Sequence, residues 1–149
     1  MLELRCVQQK MIVSPQVGHR AKAIMEGRTR RILIIDDDLL ITSTLLATLT
    51  HHGYRCEWAA NIEASLDCLA DRPFDAILLD LDLGNDHGTM LRPAADSAGI
   101  ALPPIVVTSG ASDVERRASA KQLNAFSVLA KPFTTDELIE TLQRAAPAN

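Results

Sequence analysis

FDAILLDLDLGNDHG, residues 74–88, holds the decisive pattern of this chain. An aliphatic run over 76–79 stops at Asp80, and a second acid follows at Asp82. A short, continuously apolar run bounded by polar residues reads as a strand buried on both faces, as in a parallel sheet covered by helices. Three other stretches repeat the form: ILIIDDD at 32–38, PIVVTSG at 104–110 and LAKPF at 129–133.

Working outward, strands are expected over 31–35, 55–59, 76–79, 105–108 and 127–129. The second is the weakest and reads as an edge. Amphipathic segments alternate with them and predict helices over 38–52, 62–71, 88–97, 113–123 and 135–145. Asn61 is placed to cap the second helix, and Thr134 with Glu137 forms a capping box for the fifth. Pro93 falls inside the third, which is therefore expected to be kinked, short or irregular. Five strand–helix repeats imply an α/β fold: a doubly wound, five-stranded parallel sheet with helices on both faces. Residues 30–146 form the expected domain, with a flexible leader at 1–29 and a short tail at 147–149.

The chain has 149 residues, enough for one core, and its aromatic content of 3% leaves the packing to aliphatic side chains. Cys6, Cys56 and Cys68 lack the spacing of a zinc site or disulfide framework. A reducing cytoplasm is expected, and no apolar run approaches the roughly 20 residues needed to span a bilayer. The net charge of −4, without a concentrated basic face, argues against direct nucleic-acid binding.

In an open parallel sheet, ligands bind beyond the carboxyl ends of the strands. There the sequence places Asp36, Asp37 and Asp38, then Asp80 and Asp82, then Thr108, Ser109 and Gly110, and finally Lys131. Clustered carboxylates repel one another unless protons or a cation neutralise them, and an all-oxygen set favours a hard divalent ion. Mg²⁺ keeps waters and accepts phosphoryl oxygens, so the rim suits phosphoryl transfer.

The four quoted stretches, in this order on alternating elements, resemble the signature segments of response-regulator receiver domains, and the resemblance covers nearly all of 30–145. It implies the flavodoxin-like (βα)5 fold, with Asp80 as phosphoacceptor. Asp36 and Asp37 match the acidic metal pair, Asp37 as a direct ligand and Asp36 largely through water. Asp82 would offer its backbone carbonyl to Mg²⁺. Lys131 matches the lysine of a Lys-Pro peptide that is commonly cis in the family. Ser109, with Gly110 after it, matches the switch hydroxyl, and Thr108 becomes a buried strand residue.

Three positions depart from the family pattern: Gly84 stands where proline is usual, Asp82 adds an acid, and Val128 replaces the switch aromatic. The loop 84–88 reads as mobile. His51 and His52 read as helix-terminal residues, His87 as a solvated loop residue and Trp58 as packing. The resemblance implies a histidine kinase or histidine phosphotransfer protein as donor and a downstream protein as target. Output would use helix four, strand five and helix five, a face also available for a homodimer. A stand-alone relay without an output domain is expected. Competing readings are a degenerate receiver that only docks, a phosphatase of the haloacid-dehalogenase type built on Asp80-Leu81-Asp82, and a flavodoxin-like electron carrier. The last needs a hydroxyl- and glycine-rich loop after strand one, where this chain has three aspartates.

Overall fold

A computed structural model describes residues 27–147; most of the expected leader, with Cys6, and residues 148–149 of the tail lie outside them. Five strands, β1 (Arg31–Ile35), β2 (Arg55–Ala59), β3 (Ala76–Asp80), β4 (Ile105–Ser109) and β5 (Ser127–Ala130), form one parallel sheet in the order β2-β1-β3-β4-β5. The second strand is indeed an edge. Strands three, four and five each run one residue further than the apolar pattern predicts. Their ladders continue through Asp80 opposite Thr108 and Ser109 opposite Ala130.

Successive side chains of a strand point to opposite faces. In β1, Ile32 and Ile34 therefore join one half of the core, with Leu46, Leu49, Leu138 and Leu142. Leu33 and Ile35 join the other, with Ile62, Cys68, Leu91 and Leu123. The first half lies under α1 (Leu39–His51) and α5 (Thr135–Ala145). The second lies under α2 (Ile62–Asp71), α3 (Leu91–Ala98) and α4 (Asp113–Leu123). These four aliphatic residues of β1 are fully buried, at roughly 1.5–3 kcal/mol of stabilisation for each such side chain.

The helix starts follow the cap chemistry. Asp38 is the N-cap of α1, its carboxylate accepting from the backbone N–H of Leu40 and Ile41 at 2.9 and 3.1 Å. Asn61 accepts from Ala64 N–H at 2.8 Å, and the Thr134–Glu137 capping box is present. A second box, Ser112 with Glu115, opens α4. Segment 88–97 divides into a 3₁₀ turn, Gly88–Met90, and the eight-residue α3. Pro93 is the third residue of α3, within the first turn, whose N–H groups have no intrahelical partner anyway. The helix is short, and the proline sits in its first turn without breaking it. Across the helical layer, Arg92 of α3 donates from Nε to the Leu123 carbonyl at the end of α4, at 2.5 Å.

Candidate functional site

Connections leave β1 toward β2 and β3 toward β4, so the sheet reverses its winding between β1 and β3. Such a switch point opens a crevice at the carboxyl ends of the strands. Asp36 and Asp37 follow β1, and Asp80 ends β3. Carboxylate oxygens of these three lie within 4.8 Å of one another, a grouping able to hold a divalent metal ion. Asp37 and Asp80 border an open cleft of about 680 Å³ that Asp82, Ser109 and Lys131 also line.

The acids differ in environment. Asp37 is exposed, whereas Asp36 is 2% and Asp80 7% exposed. One Asp36 oxygen accepts from Asp38 N–H at 2.9 Å. Burial pushes the Asp36 carboxyl up to about 6; the Asp38 N–H and Lys131 oppose that rise, while the charges of Asp80 and Asp37 add to it. Both Asp80 oxygens have donors: Oδ1 takes Asp82 N–H at 3.1 Å, and Oδ2 takes Lys131 Nζ at 3.1 Å. The Asp80 carboxylate is thereby held in one orientation inside the cleft.

Lys131 reaches Asp80 from the end of β5, where its N–H donates to the Ser109 carbonyl at 2.8 Å. The Lys131–Pro132 peptide is cis. Ser109, rather than Thr108, lines the cleft, and its hydroxyl accepts from Ala111 N–H at 3.0 Å. Asp82 sits exposed at the mouth, its carboxylate accepting from Gly84 N–H at 3.2 Å rather than joining the three clustered acids.

At the loop 84–88, Asp86–His87 pairs with Asp82–Leu83 in a two-residue antiparallel ladder. Gly84 makes the turn at φ +72°, a conformation closed to proline. A Cβ there would lie 3.0 Å from Asp37 Oδ2. Gly88 comes closer still, since a Cβ on it would stand 2.7 Å from the Asp80 carbonyl oxygen and 3.0 Å from Leu81 Cα. His87 caps the following 3₁₀ turn, its Nδ1 meeting Thr89 Oγ1 at 2.8 Å.

Two contacts at the site were not anticipated. Trp58, expected as packing alone, also donates from its indole to the Asp36 carbonyl at 2.6 Å. Glu115 of α4 lines the cleft wall while bonded to Ser112. The Ser-x-x-Glu spacing could have revealed the second; nothing local in sequence signals the first. His52 closes α1 with Nδ1 at 2.8 Å from the Thr48 carbonyl oxygen, a helix-terminal role as expected.

The family model for the response regulator receiver domain matches residues 32–143. Among curated proteins, the putative response regulator NtrX-like of Rickettsia bellii is 30% identical over 115 residues, 76% of this chain and 24% of that protein. The response regulator MprA of Mycolicibacterium vanbaalenii is 34% identical over 114 residues, 76% of this chain and 48% of that protein. The chain thus spans between a quarter and half the length of these relatives. Among solved structures, the Vibrio cholerae chemotaxis protein CheY4 aligns with a TM-score of 0.71 at 26% identity, over 78% of this chain and 98% of that one. A Burkholderia pseudomallei response regulator, solved with a phosphorylated aspartic acid, calcium ion and citrate, aligns with a TM-score of 0.67 at 32% identity, over 78% and 68%.

Proposed function

Because this chain belongs to the response-regulator receiver family, we propose that it accepts a phosphoryl group on Asp80 from a phosphohistidine and uses the change to switch a protein partner. The observation that carries this reading is the state of the Asp80 carboxylate. It is buried, oriented by Lys131 and Asp82 N–H, and set beside two further acids in an open cleft.

The donor set fits a hard divalent cation. Three carboxylates converge, and repulsion from Asp37 and Asp80 contributes to the raised pKa of Asp36, a strain that a cation relieves. Asp37 and Asp80 would hold Mg²⁺ directly, Asp36 largely through water, with the Asp82 carbonyl as a further ligand. When bound, Mg²⁺ offsets charge on the transferring phosphoryl oxygens.

An Asp80 oxygen attacks phosphorus as the bond from phosphorus to the donor imidazole nitrogen breaks, and that nitrogen leaves with the electron pair. The product is an acyl phosphate. Lys131, already paired with Asp80, is positioned to bind a phosphoryl oxygen, and its role is electrostatic. The Ser109 hydroxyl would donate to another. Hydrolysis of the acyl phosphate resets the site, so the chemistry is confined to the protein's own phosphorylation and dephosphorylation. The Asp82 side chain bonds Gly84 N–H, which gives no support to a phosphatase built on Asp80-Leu81-Asp82.

The donor would be a histidine kinase or histidine phosphotransfer protein. Output would run through α4, which follows Ser109, and through β5 and α5, which flank Lys131, and a homodimer could form on the same face. Val128 puts no aromatic ring at the usual switch position of β5. Among the described residues no helix is long and apolar enough to cross a membrane.

The test is incubation with acetyl phosphate and Mg²⁺ followed by intact-mass measurement. Wild type should gain one phosphoryl group and Asp80→Asn none. Wild-type labelling of the Asn variant would remove Asp80 as acceptor, and unlabelled wild type would favour a receiver that only docks.

A further inference from the structure

Trp58 is the single tryptophan of the chain and stands on the edge strand β2, packed half-buried against the α1/α5 half of the core. The β1–β2 register ends with Ile35 opposite Ala59. One step beyond, Asp36 N–H donates to the Ala59 carbonyl at 3.1 Å. There β2 stops and the chain turns at Ala60 toward Asn61, the cap of α2. The Asp36 carbonyl thus lies past the last register pair, and it takes its donor from a side chain, Trp58 Nε1, at 2.6 Å.

That carbonyl belongs to the peptide joining Asp36 to Asp37. β2 therefore grips Asp36 at its N–H and at its carbonyl, through Ala59 and the indole respectively. Two of the three clustered acids flank this one peptide plane. Its tilt governs where both side chains leave the backbone, because the plane is rigid and rotation occurs only about φ and ψ on either side. An indole suits this use: it offers one donor and no acceptor, on a ring whose bulk is fixed by packing.

We propose that Trp58 is a positioning residue for the acidic pair, its indole N–H fixing the Asp36–Asp37 peptide so that both carboxylates face one cation. The inference rests on the Mg²⁺-dependent reading of the site. Trp58→Phe keeps an aromatic ring and deletes the donor. Leu45→Ala is the control, since Leu45 packs against the same half of the core and its aliphatic side chain cannot hydrogen-bond to the acids or their peptide.

Mg²⁺ affinity is measured by calorimetry at neutral pH, with thermal melts of each variant. Trp58→Phe should bind Mg²⁺ about five-fold more weakly, the worth of one net hydrogen bond, while Leu45→Ala melts lower yet keeps its affinity within about two-fold. A folded Trp58→Phe with wild-type affinity overturns the proposal. Wild type that takes up no Mg²⁺ overturns the metal reading instead, and the inference with it. Should Trp58→Phe not fold, the indole N–H resonance of wild type decides. It is expected to be protected from solvent exchange and to move on Mg²⁺ addition; an unprotected, unmoved signal overturns the proposal.

Discussion

Asp36→Asn should stabilise the metal-free fold at pH 7.5. Asp36 is 2% exposed, and its carboxyl is pushed up to about 6 from an ordinary 3.8, chiefly by burial. Below about 6 the folded chain binds a proton that the unfolded chain takes up only near 3.8. Stability therefore rises as pH falls from about 6 toward 4, and the penalty is fully present above 6. A displacement of roughly two pH units sets an upper limit of about 3 kcal/mol. Solvent in the open cleft screens the charge, so about 1–2 kcal/mol is expected. Asparagine keeps an oxygen for Asp38 N–H and drops the charge that Asp37 and Asp80 repel. Urea unfolding in EDTA at pH 7.5 and pH 5 measures the effect as the difference between variant and wild type. The advantage of the variant should be present at pH 7.5 and shrink at pH 5. With saturating Mg²⁺ the wild type should recover ground, because ligand binding stabilises the form that binds it. An Asn variant less stable than wild type in EDTA at pH 7.5, or an advantage that does not change with pH, would refute the reasoning.

Gly88→Ala places a methyl group 2.7 Å from the Asp80 carbonyl oxygen and 3.0 Å from Leu81 Cα; backbone must shift, and urea midpoints should report a loss of about 1–3 kcal/mol. Asp38→Ala removes the α1 cap and should cost about 1 kcal/mol in the same assay while leaving Mg²⁺ affinity within about two-fold, whereas Asp37→Ala should weaken Mg²⁺ binding markedly; equal losses of affinity in the two would contradict the assignment. Asp82→Asn retains an acceptor for Gly84 N–H and deletes a negative charge at the cleft mouth, so labelling by acetyl phosphate at saturating Mg²⁺ should be faster than in wild type; slower labelling followed by intact mass would count against it.

The sheet was legible because hydrophobic runs bounded by turn residues mark doubly buried strands, and all five were located. The last residues of β3, β4 and β5 were not, because an apolar run records burial whereas a ladder records hydrogen bonds. Asp80 and Ser109 are buried polar residues that continue the pairing after the aliphatic pattern has stopped. Pro93 shows the limit of a breaker rule applied without a helix start: its effect depends on which turn it occupies. At the site, strand ends alone placed Asp36, Asp37, Asp80 and Lys131 on one rim, whereas the choice of Ser109 over Thr108 came from the family resemblance. The Trp58–Asp36 bond was not legible, since it crosses between strands from residues 22 apart in sequence. The approach of Gly84 to Asp37 likewise depends on a backbone angle that composition does not encode.

The order of the sheet has a consequence for how much of this chain is free to vary. Asp36 and Asp37, Asp80, Ser109 and Lys131 stand at the ends of β1, β3, β4 and β5, four strands that are immediate neighbours. Backbone hydrogen bonding spaces such neighbours about 4.8 Å apart whatever their side chains. The sheet is thus the ruler of the site: long stretches of intervening chain collapse into one lateral step each, and the helices between strands can change length or surface without resetting the distance from acid to hydroxyl to ammonium.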